Sequence, residues 1–309
     1  MKSFNGSFRQ TVRKMGRAVL PQAVLRRIAD YRFGYTGTGR SFAFEVTESD
    51  GTFDVVIDGR IRLRSTRAFL DDLRFHFVDN GQSRDEVGAF IDECATLPAD
   101  ALLIDVGAHR GLFALLHCAL GRSRRAVLLE PSRSLAADAR ELLAMNGFGS
   151  RAVVRVCGAG ERAERRTIVE DALGFARIVD LRNSEPRTTN DDPRSTNYET
   201  EFTTLDDEWR RLGRDPAVVK IDVEGSEAEV LRGATALTAK VRPVLFLELH
   251  VDELRARGES VAALLAPLEG AGYQFYDPGG RLASTPRIRR SYRAILRLVG
   301  RSPHDTPGG

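Results

Sequence analysis

The chain has 309 residues, of which 42% are hydrophobic and 29% charged, with a net charge of +3; this suffices for one large α/β domain plus an extra segment. No apolar run approaches the roughly 18–20 residues of a membrane span, and the N-terminal stretch lacks the compact apolar core of a secretory signal and the serines of a transit peptide, so the sequence reads as soluble and cytoplasmic. Three separated cysteines, Cys94, Cys118 and Cys157, form no CxxC pair and read as reduced thiols, the latter two buried, while the five histidines show no metal-ligand spacing.

In chain order, Val12, Met15, Val19, Val24, Leu25 and Ile28 roughly follow a helical stripe over residues 9–32, which Pro21 divides. Residues 34–41 read as a linker. Phe53–Ile57 and Ile61–Arg64 flank Asp58-Gly59, a hairpin signal because a type I′ turn needs positive φ at both positions. Ser83-Arg-Asp-Glu86 reads as a capping box that opens a helix to about Cys94.

From residue 101 strands and helices alternate. Strands are predicted at 101–106, 126–129, 152–157, 218–221, 244–249 and 273–276, and helices at 112–120, 134–145, 226–237 and 261–271. The second of these helices is closed by Asn146-Gly147. Residues 183–197 are polar, hold two prolines and read as a flexible loop. This alternation implies a doubly wound, mainly parallel sheet covered on both faces. We divide the chain at 1–80 (basic helical segment and hairpin), 81–286 (α/β domain) and 287–309 (basic helix and tail).

Ligands of such sheets bind beyond the carboxyl ends of the strands, where strand order reverses. Asp105-Val-Gly-Ala-His-Arg-Gly111 follows the first strand. Gly107 and Gly111 let backbone approach a ligand, and the next helix directs its N–H groups to the same place. Alone, this pattern is a weak signal that also fits a tight strand-to-helix turn. Glu130 ends the second strand, where an acid either accepts both ribose hydroxyls of an adenosine or is simply solvated. The loop lacks the third glycine of a pyrophosphate-binding G-x-G-x-x-G, which weakens a nicotinamide oxidoreductase reading.

Together with Leu129-Glu-Pro131, Asn146-Gly147, Thr204-Leu-Asp206, Val219-Lys-Ile-Asp-Val-Glu-Gly225 and Leu247-Glu-Leu249, this loop resembles the FkbM-type methyltransferase family over roughly residues 84–276. The resemblance implies a Rossmann-like class I methyltransferase fold with a seven-stranded sheet and S-adenosylmethionine as cofactor. It also implies O-methylation of a sugar or a polyketide-type small molecule. The cofactor would be held by Asp105, Gly107, Ala108, His109, Gly111, Glu130, Ala159 and Asp222. His109 departs from the family's usual asparagine.

His250, after the fifth strand, reads as a general base or as a surface histidine. Glu224 holds substrate, takes a proton, or caps the following helix. Together these two are the catalytic candidates. Lys220, inside an apolar strand, needs an acidic partner such as Asp206 or Glu248, and His117 reads as a packed residue. Asp222 and Glu224 do not make a complete metal-ligand set.

Residues 1–32 hold eight basic residues and one acid, and 287–301 hold six arginines and no acid, which leaves 32 bases and 42 acids in the remainder. Ile288, Tyr292, Ile295, Leu296 and Val299 fall at helical spacing. The two basic pieces either meet an anionic membrane surface, an acidic carrier protein that tethers the substrate, or nucleic acid, or pack on the domain. A nucleic-acid methyltransferase is disfavoured because strand four ends in Asp222-Val-Glu-Gly225 and not in an Asn/Asp-Pro-Pro-aromatic pattern. An inactive cofactor-binding scaffold is the non-enzyme alternative.

Overall fold

A computed structural model describes residues 38–171, 176–178, 195–283 and 295–302. The helix expected over 9–32, residues 34–37 of the linker, residues 183–194 of the polar loop, and Ile288 and Tyr292 lie outside these residues.

The described chain opens with an antiparallel meander: β1 (Phe44–Ser49), β2 (Thr52–Ile57) and β3 (Ile61–Ser65). Buried and exposed residues alternate along β3, the period-two pattern of a sheet with one covered face. Asp58 and Gly59 have φ of 50° and 68°, as the hairpin requires, although the register pairs Ile57 with Ile61 and so leaves a three-residue loop. A second Asp-Gly turn, at Asp50 and Gly51 with φ of 51° and 76°, joins β1 to β2. Next come α1 (Arg67–Arg74), a π-helical turn (Phe75–Asp79) and α2 (Gly81–Thr96). The capping-box expectation is corrected here: Asn80 caps α2 through Gln82 N–H and Ser83 N–H. Ser83 lies inside the helix, bonded to His76, and Glu86 turns to the interior.

Strand–helix alternation follows: β4 (Leu102–Val106), α3 (Leu112–Ala119), β5 (Arg125–Leu129), α4 (Arg133–Met145) and β6 (Ala152–Arg155). The single strand expected over 152–157 is two. After β6 the chain leaves the main sheet, and β7 (Cys157–Ala159) joins β8 (Glu164–Glu170), β9 (Ala176–Ile178) and β10 (Thr196–Thr203) in a second sheet ordered β7-β10-β8-β9. Thus Thr196 and Asn197, expected in a loop, begin a strand. Then come α5 (Leu205–Leu212), β11 (Val218–Ile221), α6 (Glu227–Arg232), α7 (Thr235–Lys240), β12 (Val244–His250), α8 (Val251–Ala256), α9 (Val261–Gly270), β13 (Gln274–Tyr276) and β14 (Ile295–Arg301). The helix expected over 226–237 breaks at Gly233, where an added Cβ would lie 2.0 Å from the Gly160 carbonyl oxygen.

The main sheet has seven strands in the order β13-β14-β12-β11-β4-β5-β6. Neighbours from β12 to β6 are parallel, and β14 runs antiparallel to both strands beside it. Strand order reverses between β4 and β11. Residues of β4 alternate between two cores: Leu103 packs with the meander, α2 and α3, and Leu102, Ile104 and Val106 pack with α6 to α9. The meander and the α/β layers therefore share one core, and the division at residue 81 falls inside it.

β14 replaces the C-terminal helix expected from residue 287 onward. Alternation, not helical spacing, sorts its side chains: Leu296 and Leu298 enter one core and Val299 the other. Arg297 meets Glu86 and Glu248, and Arg301 meets Glu93. These two arginines thus pair with acids that are themselves buried, Arg297 from within the core and Arg301 from a partly exposed position. Among the described residues no helix is long and apolar enough to cross a membrane.

Candidate active site

The strand-order reversal brings the β4–α3 loop against the end of β11. Gly107 has φ of 72°, its N–H donates to the Leu129 carbonyl at 2.9 Å, and a Cβ there would lie 1.8 Å from the Asp222 carbonyl oxygen. Only glycine fits that approach. Gly111 has φ of 80° and starts α3, while Ala108 is 6% exposed with its methyl in the core. His109 also takes a left-handed φ, 51°, a conformation that Asn, Asp and His adopt more readily than other side chains. A histidine is therefore tolerated where the resemblance leads one to expect asparagine.

Glu130, 5% exposed at the end of β5, accepts His109 N–H at 2.7 Å on one oxygen and Ser132 N–H at 2.8 Å on the other. Two N–H bonds leave lone pairs on both oxygens. Burial pushes its pKa up to about 7, although the two N–H bonds oppose this. The solvated-acid alternative is thereby removed. Ala159 ends β7 and is buried in the core.

Four carboxyl groups surround two buried cations beside this loop. Lys220 is 1% exposed, with Nζ 3.2 Å from Asp222, 3.4 Å from Glu86 and 3.8 Å from Glu248. Asp105 sits opposite Lys220 in the β4–β11 register. Arg297 binds Glu86 and Glu248. Burial raises Asp105 to about 7, with Lys220 opposing and Asp222 reinforcing the rise, and burial likewise holds Glu248 well above the usual carboxylate range. Burial is outweighed by Lys220 at Glu86 and Asp222, which fall below that range. Asp105 Oδ2 is buried and has no hydrogen-bond partner among the described residues. Of the partners expected for Lys220, Glu248 is present. Asp206 instead accepts Ala236 and Leu237 N–H and caps α7.

The two catalytic candidates meet at the ends of adjacent strands. Glu224, in the loop after β11, has φ of 52°, and its side chain is 61% exposed and 3.2 Å from His250 Nε2. Ser226, not Glu224, stands at the N-cap position of α6, without a side-chain cap hydrogen bond, and the Glu224 carboxylate meets the imidazole. His250, at the end of β12, is buried, which removes the surface alternative. Its Nδ1 lies 2.8 Å from Glu227 Oε1, and the same oxygen accepts Gly225 N–H at 2.9 Å. Burial lowers the His250 pKa, but the Glu227 hydrogen bond and the charges of Glu224, Asp222 and Glu227 outweigh it, so the net shift is upward.

Asp222, Glu224 and His250 offer one ligand atom each within 4.8 Å of one another. These three protein donors do not by themselves fill the shell of a hard divalent ion, whose remaining positions waters or substrate can take. His117 is packed as expected, with Nε2 3.0 Å from the Ala101 carbonyl oxygen.

Sequence reasoning missed Glu227, Glu86, Arg297 and Asp72, whose carboxylate binds Arg110 at 2.9 Å and approaches His109 Nδ1 at 3.8 Å. Glu227 carried one signal: an acid directly after a Gly-Ser pair, at the start of a helix.

A family model described as the methyltransferase FkbM domain matches residues 105–275, more than half of the chain. No curated protein matches the sequence. Among solved structures the chain is similar to the methyltransferase FkbM from Methylobacillus flagellatus KT, at 18% identity and TM-score 0.41, over 76% of this chain and 58% of that one. It is also similar to precorrin-6y C5,15-methyltransferase from Geobacter metallireducens GS-15, at 14% identity and TM-score 0.36, over 70% and 86% of the two chains. A third is the Methanococcus jannaschii fibrillarin pre-rRNA processing protein, at 10% identity and TM-score 0.41, over 84% and 98%. The chain thus spans 58% of the length of the first of these.

Proposed function

The chain belongs to the FkbM methyltransferase family, and from that premise we propose that it transfers a methyl group from S-adenosylmethionine to a hydroxyl oxygen of a small molecule, a sugar or a polyketide-type compound. The observation that carries the oxygen assignment is the His250–Glu224 contact of 3.2 Å at the ends of β12 and β11. A hydroxyl must lose its proton as the new bond forms, and an imidazole flanked by carboxylates that stabilise its protonated form is equipped to take it.

The residues fit the cofactor. Asp105 Oδ2 is a buried acceptor in need of a donor, which suits the ammonium of an amino-acid moiety. Gly107 lets the loop close on the end of the strand that carries Asp222, and the spare lone pairs of Glu130 suit paired ribose hydroxyls. When bound, S-adenosylmethionine supplies a methyl group activated by its sulfonium charge. The chain's own part is to hold the acceptor oxygen in line, chiefly a proximity effect, and to receive the proton at His250 Nε2, with Glu224 beside it to orient the hydroxyl or the ring.

Calorimetry separates the cofactor readings, because S-adenosylmethionine should bind and NAD should not. Transfer of label from methyl-labelled cofactor into a small-molecule extract, followed by mass spectrometry for a gain of one methyl, separates an enzyme from an inactive scaffold. If transfer runs at full rate in both His250→Ala and Glu224→Ala, neither residue takes the proton.

A further inference from the structure

We propose that Glu227 is the positioning residue of this site: its carboxylate holds the His250 imidazole with Nδ1 protonated and Nε2 open to the acceptor, and ties that ring to the loop carrying Glu224. The inference rests on the methyltransferase reading above.

One oxygen does both tasks. Glu227 Oε1 is 2.8 Å from His250 Nδ1 and 2.9 Å from Gly225 N. His250 ends β12 and Gly225 follows Glu224 beyond β11, so the two halves of the pair, carried by different strands, are registered by a single atom. The loop it fixes is under constraint: Glu224 and Gly225 have φ of 52° and 98°, and a Cβ on Gly225 would lie 2.5 Å from Glu253 Cβ.

A carboxylate can only accept, so in the neutral ring the hydrogen that buried Glu227 meets is on Nδ1 and Nε2 carries the lone pair, while the 3.2 Å contact with the exposed Glu224 carboxylate becomes a hydrogen bond only once Nε2 is protonated. Nε2 is the nitrogen beside Glu224. The hydrogen bond therefore selects the tautomer that the proposed proton transfer needs.

Stability gives no reason for an acid at this position. Glu227 is 0% exposed, and its other oxygen has no hydrogen-bond partner among the described residues. A buried carboxylate with an orphaned oxygen is costly compared with a neutral or apolar residue. What the acid provides is a fixed counter-charge for the imidazolium that forms when His250 takes a proton, the part played by the buried acid behind the histidine of hydrolytic triads. The charged groups that face His250 are Glu224 and Asp222 from the end of β11 and Glu227 from α6. On β14 its register partner is the uncharged Ile295, and α8, which follows it directly, adds Asp252 and Glu253 in its first turn.

The test uses the full chain with ¹⁵N-labelled histidine, in wild type, Glu227→Gln and Glu227→Ala. In wild type the neutral His250 ring should carry hydrogen on Nδ1 and titrate above the usual histidine value. Glu227→Gln, whose amide oxygen still accepts, should keep the tautomer and lower the pKa by about 1 unit; Glu227→Ala should lose the tautomer preference. Transfer of methyl label into the small-molecule extract should fall about 100-fold in Glu227→Ala, and its acid limb should move down in Glu227→Gln with the His250 titration. S-adenosylhomocysteine should bind all three proteins alike. Unchanged His250 signals in both variants overturn the proposal, and so do signals that move while the rate profile stays put. A wild type that binds no S-adenosylhomocysteine overturns the cofactor reading instead, and the His250 signals still decide the role of Glu227.

Discussion

Arg297 on the last strand binds Glu86 on the second helix at 2.7 Å, across 211 positions of sequence, and its other guanidinium nitrogens reach Glu248 and Gln82. This side chain closes the sheet over the buried acids beneath the site. Arg297→Ala would leave Glu86 and Glu248 sharing Lys220, and breaking a buried pair in this way costs about 3–5 kcal/mol. Urea unfolding should show a loss of that size, larger at pH 8 than at pH 6, because the stranded acids meet the higher pH by ionising without a partner. A loss under about 1 kcal/mol would show that the arginine is dispensable to the cluster.

Gly107 and Gly147 share a φ of 72°, yet their surroundings differ. A Cβ at Gly107 would lie 1.8 Å from the Asp222 carbonyl oxygen, whereas one at Gly147 meets nothing within 4 Å. Gly147→Ala should therefore cost only the left-handed strain, about 1 kcal/mol, and leave S-adenosylhomocysteine binding intact. Gly107→Ala must also push apart the ends of β4 and β11, so binding should be lost. Equal behaviour of the two variants in unfolding and calorimetry would refute the close approach.

The contrast shows which parts of this protein a linear reading reaches. The glycine loop, Glu130 and the strand that carries Lys220 were legible because each function is local: a turn, a strand end, an apolar run broken by one charge. The meander was half legible, since Asp58-Gly59 was used and the same dipeptide at Asp50-Gly51 was not. The second sheet was missed because β7 leaves the main sheet after only one intervening residue, and its partner β10 lies beyond a polar stretch that gives no strand signal. β14 was misread because apolar residues at 295, 296 and 299 satisfy helical spacing, and nothing local to that segment reveals that β12 needs a partner on its open edge. The ring of acids around Lys220 could not be read either, because Glu86 and Arg297 reach it only through tertiary contacts.

Asp105 gives the site a pH dependence with a definite sign. Its pKa is about 7 in the folded chain, above the ordinary value of about 4 for an aspartic acid. The folded state thus holds a proton that the unfolded chain has released between about pH 4 and pH 7, and stability falls as pH rises through that window. A cationic ligand reverses the preference at this carboxyl by stabilising its charge. S-adenosylhomocysteine, which carries the same ammonium group, should therefore bind more tightly as pH rises toward 7 and level off above it. At pH 6 binding should release a proton, visible as a binding enthalpy that varies with the ionisation enthalpy of the buffer. Asp105→Asn should abolish that variation. An enthalpy independent of buffer in wild type would separate Asp105 from the ligand's cationic end.

Asp222, Glu224 and His250 bring ligand atoms within 4.8 Å, so a chelator gives a direct check on what His250 does. The nitrogen turned to Glu224 at 3.2 Å is its Nε2, and Nδ1 is occupied by Glu227, so the ring has one nitrogen to spend, on a proton or on a cation. If it takes the proton, EDTA leaves methyl transfer unchanged. His250→Ala then lowers the rate by about 10²–10⁴, and added imidazole restores part of it, because a free base can occupy the space the ring leaves. Glu224→Gln, which keeps the shape of the side chain and removes its charge, lowers the rate less than His250→Ala. If EDTA instead abolishes transfer, a divalent ion restores it and imidazole does not, the three groups serve a cation, and the proton leaves the acceptor by another route.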